Sequence, residues 1–112
     1  MHEFSLAQDI FETINRSLSN DLDKLTAIHI EVGEFSGVVA DSLEFGLSII
    51  LGEKNLPKVK IDITTVPAAA VCQCGQEYPI KDILENCPAC QSYNRKITSG
   101  ADVLIRSIEL IE

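Results

Sequence analysis

No stretch of this 112-residue chain approaches the roughly 18 apolar residues that a membrane-spanning helix needs. Its first residues, Met1-His2-Glu3-Phe4-Ser5-Leu6, show neither the basic n-region nor the apolar h-region of a secretory signal, so a cytoplasmic protein is expected. Tryptophan is absent, and His2 and His29 are the only histidines. There is no Ser/His/Asp set and no glycine-rich phosphate loop, so no enzyme is expected. Basic residues are also short: nine Lys and Arg stand against 17 Asp and Glu, a net charge of -8. That balance does not suit nucleic acid, which demands Lys and Arg against its phosphates. The deficit is uneven. Residues 72–100 hold Lys81, Arg95 and Lys96 against Glu77, Asp82 and Glu85, so the whole excess of acid lies elsewhere. An acidic surface suits cations or basic protein patches, although solubility alone explains most such charge.

Cysteine is scarce but concentrated. All four fall in Cys72-Gln73-Cys74-Gly75 … Cys87-Pro88-Ala89-Cys90. Two close pairs converge readily on one tetrahedral ion, and zinc takes four thiolates in closed structural sites. The second half, C-P-x-C, is a strong signal. The first is C-x-C, one residue short of C-x-x-C, and requires a tighter turn. Gly75 supplies the backbone freedom for it. Gln91 follows Cys90, so the second turn has no such help. Disulfides are the first alternative, but they suit a secreted chain. A redox dithiol is the second, and it leaves one pair unexplained.

By length the chain is about one domain, and its apolar content of 46% is ordinary for a globular fold. Residues 4–18 place Phe4, Ala7, Phe11, Ile14 and Leu18 at helical spacing, with Ile10 beside them. Residues 25–33 alternate as a strand with Ile28, Ile30 and Val32 inward. His29 then points away from the core, where a histidine is more often solvated or hydrogen-bonded than a ligand. Asp41 is expected to cap a second helix, with Glu44 completing a capping box, Leu43, Leu47, Ile50 and Leu51 buried and Gly52 as the stop. Residues 58–66 alternate as a strand with Val59, Ile61 and Ile63 inward. Between the cysteine pairs, Tyr78, Ile80, Ile83 and Leu84 suggest a small satellite core. In the last strand, 102–111, strict alternation puts Leu104, Ile108 and Leu110 on one face and Val103, Ile105 and Ile111 on the other.

These elements predict an α+β fold, two helices on a three-stranded sheet with an inserted zinc-ribbon-like lobe. Residues 1–66 plus 101–112 are expected to form one discontinuous lobe and 67–100 the zinc-binding lobe. The β–α–β portion is expected to be parallel. Too few residues remain outside the insert for a large core, so the metal is expected to supply folding energy to its own lobe.

The first three residues are a second candidate site. The Met1 amine, the amide nitrogens of His2 and Glu3, and the His2 Nδ1 offer four nitrogens for a square plane, which suits Ni(II) or Cu(II). The Glu3 carboxylate is available to a higher-coordinate arrangement. Alone the tripeptide is a weak signal, more readily explained as an ordinary polar chain start.

Met1-His2-Glu3, Val32-Gly33-Glu34-Phe35-Ser36-Gly37-Val38, Asp41-Ser42-Leu43-Glu44-Phe45-Gly46 and the late C-x-C-G … C-P-A-C together resemble the HypA/HybF family, in order and over essentially the whole chain. The family comprises nickel metallochaperones for maturation of [NiFe]-hydrogenase and, in some bacteria, of urease. The resemblance implies that Met1 (through its amine), His2 and Glu3 bind Ni(II) as transient cargo, with His2 indispensable. It implies that Cys72, Cys74, Cys87 and Cys90 hold structural Zn(II). It further implies delivery with a nickel-insertion GTPase to the hydrogenase large subunit, and a homodimer as a further partner state. The C-x-C departs from the commoner C-x-x-C of the family and bears on loop geometry. The competing expectation is a zinc-ribbon protein-interaction adaptor with no nickel role. A dithiol oxidoreductase is a third, predicting reactive thiols and no zinc.

Overall fold

A computed structural model describes residues 2–111, without the His2 side chain. The Met1 amine and the His2 imidazole, both expected nickel donors, lie outside the described residues.

Helix α1 (His2–Leu18) buries Ala7, Ile10, Phe11 and Ile14 along one stripe. Ser19, at φ 53°, leads out of it into a 3-10 segment, Ser19–Lys24. Strand β1 (Leu25–Gly33) follows, then α2 (Ala40–Glu53) and β2 (Lys60–Val66). Strands β3 (Ala69–Cys72), β4 (Glu77–Pro79) and β5 (Arg95–Ser99) come next, and β6 (Val103–Leu110) ends the chain. The first sheet runs β2-β1-β6, with β1 parallel to β2 and antiparallel to β6. Both helices pack on one face of it, over Ile28, Ile30 and Val32. The helices approach closely at Gly46, where an added Cβ would stand 3.3 Å from the Ala7 Cβ. The second sheet, β4-β3-β5, is antiparallel and has its own core of Ala68, Ala70, Cys72, Tyr78, Ile80 and Cys87.

Four local expectations are corrected. Helix α2 starts at Ala40, its N-cap is Val39 in an extended conformation, and no side chain caps it. Asp41 already lies inside the first turn, where its charge faces the positive helix end without closing a capping box. The helix also runs through Gly52 to Glu53, and the left-handed residue after it is Asn55, at φ 63°. In β6 the strict alternation fails. His29 pairs with Ser107 but Ile30 pairs with Ile105, so Arg106 is an extra residue and the strand bulges. The bulge shifts the face by one residue, which puts Ile108 on the core side with Val103 and Ile105, while Leu104 before it stays on the outer face and Leu110, at the strand end beside a second irregularity at Leu25–Ala27, is partly exposed. Finally, Ile83 and Leu84 are 73% and 75% exposed instead of filling the satellite core. The Arg95 guanidinium donates to the carbonyls of Glu85 and Ile83, and the Leu84 N–H donates to Asp82 Oδ1. That pinned turn directs both apolar side chains outward.

The two sheets meet at Gly33-Glu34-Phe35. The Phe35 N–H donates to Gly100 O at 2.7 Å, the Ala68 N–H to Glu34 Oε1 at 3.0 Å, and the Phe35 ring packs on the second core. The backbones are close enough that a Cβ on Gly33 would stand 2.3 Å from the Gly100 carbonyl carbon.

Candidate metal centre

The first cysteine turn is the end of β3 and the turn after it. The Gly75 N–H donates to Cys72 O at 2.8 Å, and Gly75 takes φ 94°, a left-handed conformation that glycine adopts without a Cβ clash. The shortened C-x-C is accommodated because Cys72 stays on the strand while Cys74 swings round with this turn. The second turn is one residue longer and has no glycine: the Gln91 N–H donates to Cys87 O at 2.8 Å, four residues back, with Gln91 at φ 63°. The turns are tied together, since the Gln73 N–H donates to Asn94 O and the Asn94 side-chain amide to Gln73 Oε1 at 2.7 Å.

This framework brings the four sulfur atoms within 4.8 Å of one another. Cys72 and Cys90 are 3.3 Å apart at Sγ, and Cys74 and Cys87 3.7 Å. A tetrahedron with zinc–sulfur bonds of about 2.3 Å has edges of about 3.8 Å, so the quartet fits one such ion. All four are free cysteines, not disulfides. Among the described residues they are the one group of three or more His, Cys, Asp or Glu side chains with ligand atoms this close. Cys72 and Cys87 are buried and Cys74 and Cys90 exposed, which leaves one edge of the site open to solvent.

The thiols do not share charge equally. Burial pushes the Cys87 thiol up, but the N–H groups of Cys90 and Ala89 and the neighbouring thiols outweigh it and bring it down to about 7. At Cys90 the Ser92 N–H favours the thiolate, yet the other three thiols and burial oppose it and push it up to about 12. Charge on Cys87 thus opposes charge on Cys90. A divalent cation removes that opposition, because metal binding draws all four ligands into the thiolate form.

At the other expected site, Glu3 is the described member. Its Oε2 lies 3.4 Å from the Val39 N–H, just ahead of α2. Glu3, Phe4, Asp41, Ser42, Phe45, Gly46 and Ile49 line a cavity of about 410 Å³ between the starts of the two helices. Asp41, read from the sequence as a helix cap, thus lines the same cavity as Glu3. The signal for this was an acidic residue near a helix start, which looks the same whether or not it caps.

His29 belongs to neither site. Its Nδ1 lies 2.9 Å from Asp62 Oδ2 and its Nε2 lies 2.5 Å from Glu109 Oε2, on the sheet face opposite the helices. It is hydrogen-bonded, as expected, but its partners come from two other strands and were not legible in its own alternation pattern.

A family model described as hydrogenase/urease nickel incorporation, metallochaperone, HypA matches residues 1–110. A hydrogenase maturation factor HypA from Geobacter metallireducens is 31% identical over 111 residues, covering 98% of this chain and 99% of the relative. Its counterpart from Francisella philomiragia is 32% identical over 109 residues, covering 96% and 97%. The solution structure of the nickel metallochaperone HypA from Helicobacter pylori superposes with a TM-score of 0.68 at 19% identity, covering 97% of each chain. Another HypA solution structure gives a TM-score of 0.71 at 21% identity, covering 99% of this chain and 97% of that one. The two superpositions establish the fold.

Proposed function

The chain belongs to the HypA family of hydrogenase and urease nickel-incorporation metallochaperones, and from that premise we propose that it binds Ni(II) through Met1, His2 and Glu3 and hands it on during [NiFe]-hydrogenase maturation. The observation that carries this reading is the match from residue 1 onward, which includes the Met1-His2-Glu3 start, together with Glu3 and Asp41 lining one cavity. The donors are the Met1 amine, the amide and imidazole nitrogens of the first residues, and the Glu3 carboxylate. Asp41 stands ready as a further oxygen ligand. Nitrogen and carboxylate donors at a chain end suit Ni(II) and leave it accessible to an incoming ligand, as a cargo site requires. Binding through amides displaces their protons, so affinity rises with pH.

The second metal is structural in this reading. Cys72, Cys74, Cys87 and Cys90 would hold Zn(II), filling all four positions and leaving none for a reacting water. We divide the chain accordingly into a nickel-binding lobe, 1–66 plus 101–112, and a zinc-binding lobe, 67–100. The protein turns over no substrate. Its proposed partners are a nickel-insertion GTPase, the hydrogenase large subunit and a second copy of itself, in the cytoplasm.

Nickel titration of protein with a free, native amine tests the assignment. His2→Ala should lose stoichiometric nickel while keeping its zinc, and a peptide tag fused to the amine should weaken binding. Unchanged nickel affinity in His2→Ala would sink the assignment. A wild-type protein that holds zinc but never nickel would return the chain to the adaptor reading.

A further inference from the structure

The outer face of the first sheet carries a charged constellation that nickel and zinc binding leave unused. His29 stands on the central strand β1, with Asp62 from β2 on one ring nitrogen and Glu109 from β6 on the other. A neutral imidazole has one N–H and one lone pair, so it can donate to only one of them. An ionised carboxylate only accepts. Two carboxylates, one on each nitrogen, therefore call for the imidazolium. We propose that His29 is a proton-operated staple: doubly protonated, it ties both edge strands to β1, and on losing a proton it keeps only one of the two ties.

The surroundings support this. Glu109 and then Asp62, each as a hydrogen-bond acceptor, raise the His29 pKa against a smaller opposing effect of burial. From β2 the same face also presents Lys60 and Thr64, two residues either side of Asp62, and Asp62 and Thr64 border the depression beside the ring. From β6 come Ser107, opposite His29, and the bulge residue Arg106. Arg106 is engaged by Glu31 of β1 at 2.9 Å, so that cation is taken up by a different carboxylate. The helices lie against the other face and bring no charge to the ring.

The placement gives the staple a consequence. Strand β2 leads directly into the cysteine-bearing segment, and β6 returns directly from it. One side chain thus holds both strands that flank that segment. The direction with pH follows from the raised pKa. The staple's contribution is fully present below the ordinary imidazole value and is lost as pH rises through the higher folded-state value.

The test is an NMR titration of the His29 ring in the zinc-loaded protein, assigned against His29→Gln. A midpoint above the ordinary imidazole range, with both ring nitrogens protonated below it, is expected. Asp62→Asn and Glu109→Gln should each lower the midpoint, and the double variant should return it to the ordinary range or below. After correction for intrinsic base catalysis, amide exchange in β2 or β6 should become faster across that midpoint in the wild type and lose this dependence in His29→Gln. A midpoint at or below the ordinary range overturns the proposal. So does a neutral ring with its proton on Glu109, or an exchange profile that His29→Gln leaves unchanged. None of these readings depends on nickel.

Discussion

Tyr78 is buried in the second core, and among the described residues its hydroxyl meets no hydrogen-bond partner. Such a group bears the cost of leaving water without recovering it, on the order of 1–3 kcal/mol. Tyr78→Phe removes the oxygen and keeps the ring. Denaturant unfolding should show stability unchanged or raised by up to about 1 kcal/mol, and a loss above about 1 kcal/mol would mean that the hydroxyl is bonded after all. Legibility at this scale depends on whether a residue's role is written near it in the chain. The four cysteines were readable because each turn is closed by bonds within a few residues, such as Gly75 to Cys72 and Gln91 to Cys87. The partners of His29 were not, because Asp62 and Glu109 lie 33 and 80 residues away and only the sheet brings them together. Asp41 shows the reverse failure: a familiar local pattern suggested a cap, and the chain entered the helix one residue earlier, at Ala40.

At the scale of elements, apolar spacing located both helices and the strands of the first sheet, since each shows one buried face. Period-2 reading failed at the β6 bulge because a single extra residue, Arg106, reverses every later side chain and leaves no mark of its own in the composition. The connections divide in the same way. Gly52 looked like a helix stop, yet it lies within α2 with nothing within 4 Å of an added Cβ. Gly52→Ala should therefore stabilise the protein by about 0.5–1 kcal/mol, through better helix propensity and a less flexible unfolded chain. Gly100 is the opposite case. It takes φ 80°, and a Cβ there would stand 2.6 Å from the Ala68 Cα, which is backbone and has no rotamer to escape into. Gly33 meets Gly100 in the same crowded junction. Gly100→Ala and Gly33→Ala should each cost at least about 1–3 kcal/mol in thermal or denaturant unfolding. Equal responses at Gly52 and Gly100 would show that the two sheets do not meet as closely as these backbones do.

For the whole molecule, the two cores differ in what holds them. Among the described residues, the first has twelve buried, from both helices and from β1, all apolar. The second has six, and two of those are Cys72 and Cys87, whose burial depends on what the sulfur atoms face. Six side chains, with Tyr78 the one large ring among them, bury little apolar area against the ordering of a segment of this length, and in the proposed reading an ion bound by the four thiolates supplies the difference. Stripping the metal with a chelator should therefore melt β3, β4 and β5 while α1, α2 and the β2-β1-β6 sheet persist. Hydrogen exchange resolved by residue would show protection vanishing from Ala70, Val71 and Ile97 but remaining at Ile28, Ile30 and Leu47. The junction adds a pH dependence of its own. The Ala68 N–H holds the Glu34 carboxyl below its usual range, with a smaller pull from Lys81, against an opposing effect of burial. Its contribution is thus present above the ordinary carboxylate value and lost as pH falls through the lower folded-state value. Acid should loosen the contact between the sheets, and Glu34→Gln should remove that part of the acid sensitivity. A single cooperative loss of both sheets on chelation would show that Gly33-Glu34-Phe35 couples the cores more tightly than their separate packing implies.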